Sequence, residues 1–184
     1  MNEVDKYLKS IEELTLDEKV ICAFEFVQKI PYKVCKFDST NEFIKNNFGD
    51  CRHKHLFLFE VYSKLGFKVE KIRVFFDWKD LPIPLKKLEV LNKSGTIFPH
   101  SALYLYKGNK KILVDATWQP SLEKFGFPIT KNWNGNSDTK NITEGKVETL
   151  SLEEYENRKS ELNLVRDELL KFADEINDFL KEYS

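Results

Sequence analysis

Cys51, His100 and Asp115 are the residues whose types and order could do chemistry. A thiolate is a strong nucleophile only where its surroundings favour the anion, and a helix N-terminus with an adjacent imidazolium does that. A carboxylate beside the imidazole holds it in the useful orientation. Cys51 follows Phe48-Gly49-Asp50 and opens an apolar stretch, Leu56 to Leu65, that stops at Gly66. That pattern predicts a cysteine in the first turn of a buried helix, with Asp50 as its N-cap. His100 starts an alternating run to Tyr106, and Asp115 ends the run Ile112-Leu113-Val114-Asp115. These read as two strands joined by Lys107-Gly108-Asn109-Lys110.

A hairpin centred on Lys107-Gly108 sets His100 opposite Asp115; one centred on Gly108-Asn109 sets it opposite Thr117, with Asp115 diagonal. Both keep His100 and Asp115 on one face, because side chains alternate with period two. The other face then gathers Leu103, Leu105, Ile112, Val114 and Ala116. Taken singly, each of the three residues has a bland reading: a small hydrophobe, a satisfied strand histidine, a turn aspartate. Together and in this order they favour a site. Cys22 lies inside a helical apolar pattern and reads as core, whereas Cys35 sits between lysines with no histidine nearby and reads as incidental.

The elements around them follow from periodicity and capping. Val4, Tyr7, Leu8, Ile11 and Leu14 fit a first helix, and the capping box Thr15/Glu18 starts a second that Pro31 ends. Lys68 to Phe76 reads as a strand, 79–98 as a long loop, and 119–149 as mostly loop with a short strand near Lys146 to Leu150. Ser151 and Glu154 form another capping box, opening one long C-terminal helix with a seam at Tyr155, Leu162, Val165, Leu169, Phe172, Ile176, Phe179 and Tyr183. The expected division is a catalytic unit over 1–150 and that helix over 151–184, packed on its own domain, on a second copy or on a partner protein. Trp78 and Trp118 are candidate cleft walls.

The 184 residues allow one domain with a sizeable core. The net charge of −1, with mixed Lys and Glu, gives no basic surface for nucleic acid. No apolar run approaches membrane-spanning length, and the N-terminus lacks a signal-peptide core. Three cysteines without Cys-x-x-Cys spacing suggest neither a disulfide framework nor a thiol-rich zinc site, so a reducing cytoplasmic setting is expected. A rival metal set would combine Cys51 and His55, four apart on one helical face, with His100 and Asp115. Against it, Arg52-His53-Lys54-His55 reads as a charged, solvated face.

The stretch from Phe48 to Trp118 resembles the transglutaminase-like superfamily of papain-like folds. The words that carry the likeness are Gly49-Asp50-Cys51, Tyr62-Ser63-Lys64-Leu65-Gly66-Phe67, His100-Ser101-Ala102-Leu103-Tyr104 and Val114-Asp115-Ala116-Thr117-Trp118. The resemblance implies an α+β fold with the nucleophile helix packed on an antiparallel sheet. It also implies Cys51 as nucleophile, His100 as general base, Asp115 as orienting acid and a thioester intermediate on amide substrates. No cofactor or metal is implied, and the expected partner is a peptide or protein-like amide. Ala102 departs from the family, where an aromatic residue often follows the histidine by two. Gln28 and Tyr32 are the candidate side-chain oxyanion donors. The alternative is a domain of the same fold that turns nothing over and uses its C-terminal helix to hold a partner.

Overall fold

The computed structural model describes residues 1–182, so the seam position Tyr183 lies outside the described residues. Two capped helices open the chain. α1 (Glu3–Ser10) starts at Asn2, whose side chain accepts from the Asp5 amide, and α2 (Leu16–Lys29) starts at the Thr15/Glu18 capping box. α3 (Thr40–Asn46) follows a segment in which Tyr32 bridges to Gly49. α4 (Cys51–Lys64) begins at Asp50, whose carboxylate accepts the Arg52 amide at 2.9 Å. Glycine at 49 is required by space: a Cβ there would sit 2.6 Å from the ring of Phe43, which is itself fully buried. Gly66 ends α4 with φ +89°, the left-handed region that favours glycine.

β1 (Lys68–Asp77) runs into a chain segment that the sequence reads as loop but that carries the short helix α5 (Leu85–Leu88). β2 (Ile97–Lys107) and β3 (Lys110–Val114) form a hairpin pairing Lys107 with Lys110, so its turn is Gly108-Asn109. Leu103 therefore pairs with Val114, and Asp115, one residue beyond the strand, lies diagonal to His100. After a long irregular stretch, β4 (Glu148–Ser151) pairs with β1. The antiparallel sheet has order β3-β2-β1-β4.

The expected single C-terminal helix is two: α6 (Leu152–Arg158) and α7 (Arg166–Lys181). Tertiary hydrogen bonds win over the helical ladder between them. Asn163 donates to the Lys93 carbonyl, Val165 N–H donates to Ser94 Oγ, and Glu168 accepts from both amides at 93–94. Leu162 and Val165 thus leave the seam, while Phe172, Ile176 and Phe179 bury themselves on the chain's own core. The boundary expected at 150/151 falls inside β4.

Apolar alternation along β2 and β3 divides the core. Leu103, Leu105, Ile112, Val114 and Ala116 join Val20, Phe24, Leu58 and Val61 beneath α2 and α4. Ile72, Val74, Phe76 and Ala102 join Trp78, Trp118, Phe172 and Ile176 beneath α7. The fold is α+β, with α4 and α7 covering different clusters and the N-terminal end of α4 reaching into the second of them through Cys51. Among the described residues no helix is long and apolar enough to cross a membrane.

Candidate active site

The β2–β3 hairpin brings His100 and Asp115 into contact: imidazole Nε2 donates to Asp115 Oδ2 at 2.8 Å, and both residues are buried. Asp115 Oδ1 accepts from the amide and the hydroxyl of Thr117, at 3.1 and 2.6 Å. The Asp115 amide donates to Thr139 Oγ1, fixing the backbone where the strand has ended. With Nε2 committed to the carboxylate, Nδ1 is the ring nitrogen left free, and Cys51 lines the same cavity as the ring. Burial would push His100 toward the neutral form, but the charges of Asp115 and Cys51 outweigh it and hold the ring protonated well above neutrality. Burial likewise opposes ionisation of Asp115, yet the imidazolium and the Thr117 hydroxyl bring its carboxyl down to about 2.

The other half of the polar cluster comes from α4. His53, Lys54 and His55 are buried, which corrects the reading of 52–55 as a solvated face. Only Arg52 of that run reaches outward, pairing with Asp50 and donating to the Cys35 carbonyl. Lys54 is fully buried and directs Nζ at the carbonyls of Thr117, Ala116 and Gln28, at 2.8, 3.3 and 3.5 Å. Burial lowers it to about 7, against the pull of Asp115 and Cys51. His55 bridges α4 to the same turn: Nδ1 donates to the Cys51 carbonyl at 2.8 Å and Nε2 accepts the Ala116 amide at 3.0 Å. Those partners fix its tautomer, and burial brings it down to about 4, so it is neutral at pH 7.

Lys54 and His55 belong to the buried polar cluster beside Asp115, which a charge-run reading misses. The signal that finds them is helical spacing: Lys54 lies on the stripe Lys54, Phe57, Leu58, Val61, whose other members are core residues. The four-residue metal set does not assemble. Among the described residues, His55, His100 and Asp115 form a group whose ligand atoms lie within 4.8 Å of one another, and Cys51 is not in it. The Nε2 lone pair of His55 is held by the Ala116 amide, so the donors present do not fit a tetrahedral ion.

Cys51 and His100 open on a cavity of about 800 Å³. Tyr32 and Trp78 share its lining, whereas Trp118 does not; that indole packs on Tyr32 and donates to the Ile142 carbonyl. Gln28 is likewise outside the cavity, its amide donating to the Thr130 carbonyl. Cys35 is better placed than its sequence suggests, since it lines the same cavity. Burial and the nearby Asp50 charge push its thiol up to about 11, however. Two cysteines therefore line one space, and Cys51 is the one that starts a helix.

No family model matches this sequence, and no curated protein matches it. A solved structure it can be superposed on is a "putative cysteine protease" from Cytophaga hutchinsonii, at 13% identity and a TM-score of 0.44. The superposition covers 80% of this chain and 45% of that one, so this chain spans less than half of that protein's length.

Proposed function

We propose that this chain is a cysteine-dependent amide hydrolase or acyltransferase of the transglutaminase-like kind, with Cys51 as nucleophile, His100 as proton carrier and Asp115 as orienting acid. The observation that carries the reading is a cysteine at the start of α4 that lines one cavity with a buried imidazole, itself bonded to a carboxylate at 2.8 Å. The helix N-terminus and the protonated ring are the two fields that stabilise a sulfur anion.

In the reaction, Cys51 Sγ adds to the amide carbon and the carbonyl π pair moves onto oxygen. The Cys51 amide, unpaired within the first turn of α4, donates to that oxyanion, and the Tyr32 hydroxyl is the second donor. Burial holds the Tyr32 phenol above its ordinary range, so it keeps its proton and stays a donor. His100 passes its proton to the departing nitrogen as the C–N bond breaks, leaving a thioester on Cys51. Water or an amine then attacks, giving its proton to His100 while sulfur leaves. Asp115 holds Nε2 throughout, which leaves Nδ1 to carry the proton.

Iodoacetamide labelling followed by peptide mass spectrometry tests the assignment. Cys51 should react far faster than Cys35 at pH 7, and His100→Ala should remove that preference. Slow, equal labelling of Cys22, Cys35 and Cys51 sinks it and leaves a domain that binds without turnover.

A further inference from the structure

The cavity beside Cys51 is larger and more apolar than an amide group alone requires. Its volume is about 800 Å³. Its walls come from separate stretches: Phe76 at the end of β1, Trp78 just after it, Phe98 at the start of β2, and Leu169 and Phe172 on α7. The rings lock onto one another, with Trp78 and Phe172 centroids 4.9 Å apart and Phe98 and Phe172 at 5.7 Å. Among the described residues, the indole Nε1 of Trp78 is a buried side-chain atom without a hydrogen-bond partner. Even the one ring donor in this wall is thus out of reach of water. The lining also carries polar groups: Tyr32, Cys51 and His100 at the site, and Arg166, Asp174 and Asn177 on α7. An occupant that matches is mainly apolar, with a polar group at Cys51.

We propose that this cavity holds the acyl side of the substrate: a medium-length aliphatic or aromatic group attached to the carbonyl that Cys51 attacks. The inference rests on the cysteine reading above for which atom is attacked. The leaving amine must depart once His100 has protonated it, whereas the acyl group stays on sulfur until the thioester is resolved. A chamber walled by α7 suits the half that stays. Each methylene moved from water onto such a wall strengthens binding about fourfold.

Calorimetric binding of straight-chain primary amides to the Cys51→Ala protein reads the chamber without the chemistry. Affinity should rise about fourfold per methylene from acetamide to hexanamide. Ala173→Phe, which adds a ring to a residue lining the same cavity, should lower the hexanamide-to-acetamide affinity ratio by at least about tenfold, the equivalent of two methylenes. A flat series overturns the inference, and so does a rise that Ala173→Phe leaves untouched, because that binding lies elsewhere. Hydrolysis of acetyl, butyryl and hexanoyl p-nitrophenyl esters by the unmodified protein separates the two readings. If all three are cleaved equally and Cys51→Ala cleaves none, the chamber assignment fails and the nucleophile stands. Where amides bind in a rising series but no ester is cleaved, the chamber stands and the nucleophile assignment fails.

Discussion

The two sides of Cys51 are built on opposite rules. On one side Asp115, Thr117, His55 and Lys54 form a buried polar cluster with hydrogen-bond partners for each, many of them backbone carbonyls and amides. On the other, Phe76, Trp78, Phe98 and Phe172 line open space with rings. A buried polar group is tolerable only when paired, so the first side is specified atom by atom and admits little motion. Rings ask only for volume, so the second side can accept guests of varied shape. Chemistry needs the first kind of wall and substrate choice the second.

The sharpest break falls on the polar side. Cys51→Ala should abolish turnover, and His100→Ala should lower kcat by at least about 10³-fold. Asp115→Asn keeps the shape but offers His100 an amide instead of a charge; kcat should fall by roughly 10²- to 10³-fold with KM little changed. An effect confined to KM would show that Asp115 only shapes binding.

Stability effects come next, and they contrast the two sides. Phe172→Ala removes a ring that packs on Trp78 and Phe98, and urea unfolding should show a loss of about 3 to 4 kcal/mol. The pH profile of Cys51 alkylation should stay as it was. A shifted profile would mean that the apolar wall also sets the electrostatics of the thiol.

The cost on the polar side depends on pH. His55 titrates at about 4 in the folded chain, against an ordinary 6.5, so as pH falls through that window the unfolded chain binds a proton the folded one refuses. Stability should therefore drop from pH 6.5 to 4 by on the order of 3 kcal/mol. Asp115 does not share this window, since its carboxyl titrates between its ordinary 3.8 and about 2. Nor does His100, whose folded value lies above 6.5, so its contribution is present in acid and fades only as pH rises above that value. The slope between pH 6.5 and 4 should flatten in His55→Gln; an unchanged slope assigns it to another group.

Lys54→Met should cost less, about 2 kcal/mol, because losing the partners of the Ala116 and Thr117 carbonyls is partly offset by removing a buried charge. Identical urea midpoints for wild type and variant would remove Lys54 from the account of how this side is held. Smallest of all, Cys35→Ala should leave alkylation of Cys51 within about twofold, as its thiol stays protonated at neutral pH.

Local pattern determined a great deal by itself. The Thr15/Glu18 box, Asp50 as cap of the Cys51 helix, the strand from Lys68, and the shared face of His100 and Asp115 are short-range features, fixed by capping chemistry and a period of two. Choosing Gly108-Asn109 as the turn required the structure, since both registers satisfy the same alternation. Three things needed distant partners. Lys54 is buried because carbonyls more than sixty residues away meet its ammonium, and nothing beside it in sequence announces them. The C-terminal helix is interrupted because the amides and hydroxyl at 93–94 compete with its own ladder. The cavity exists because α7 returns over β1 and β2 to supply Leu169 and Phe172 opposite Trp78. Short-range hydrogen bonding fixes elements and faces; burial and pairing across the chain fix which side chains end up without water, and on that the site depends.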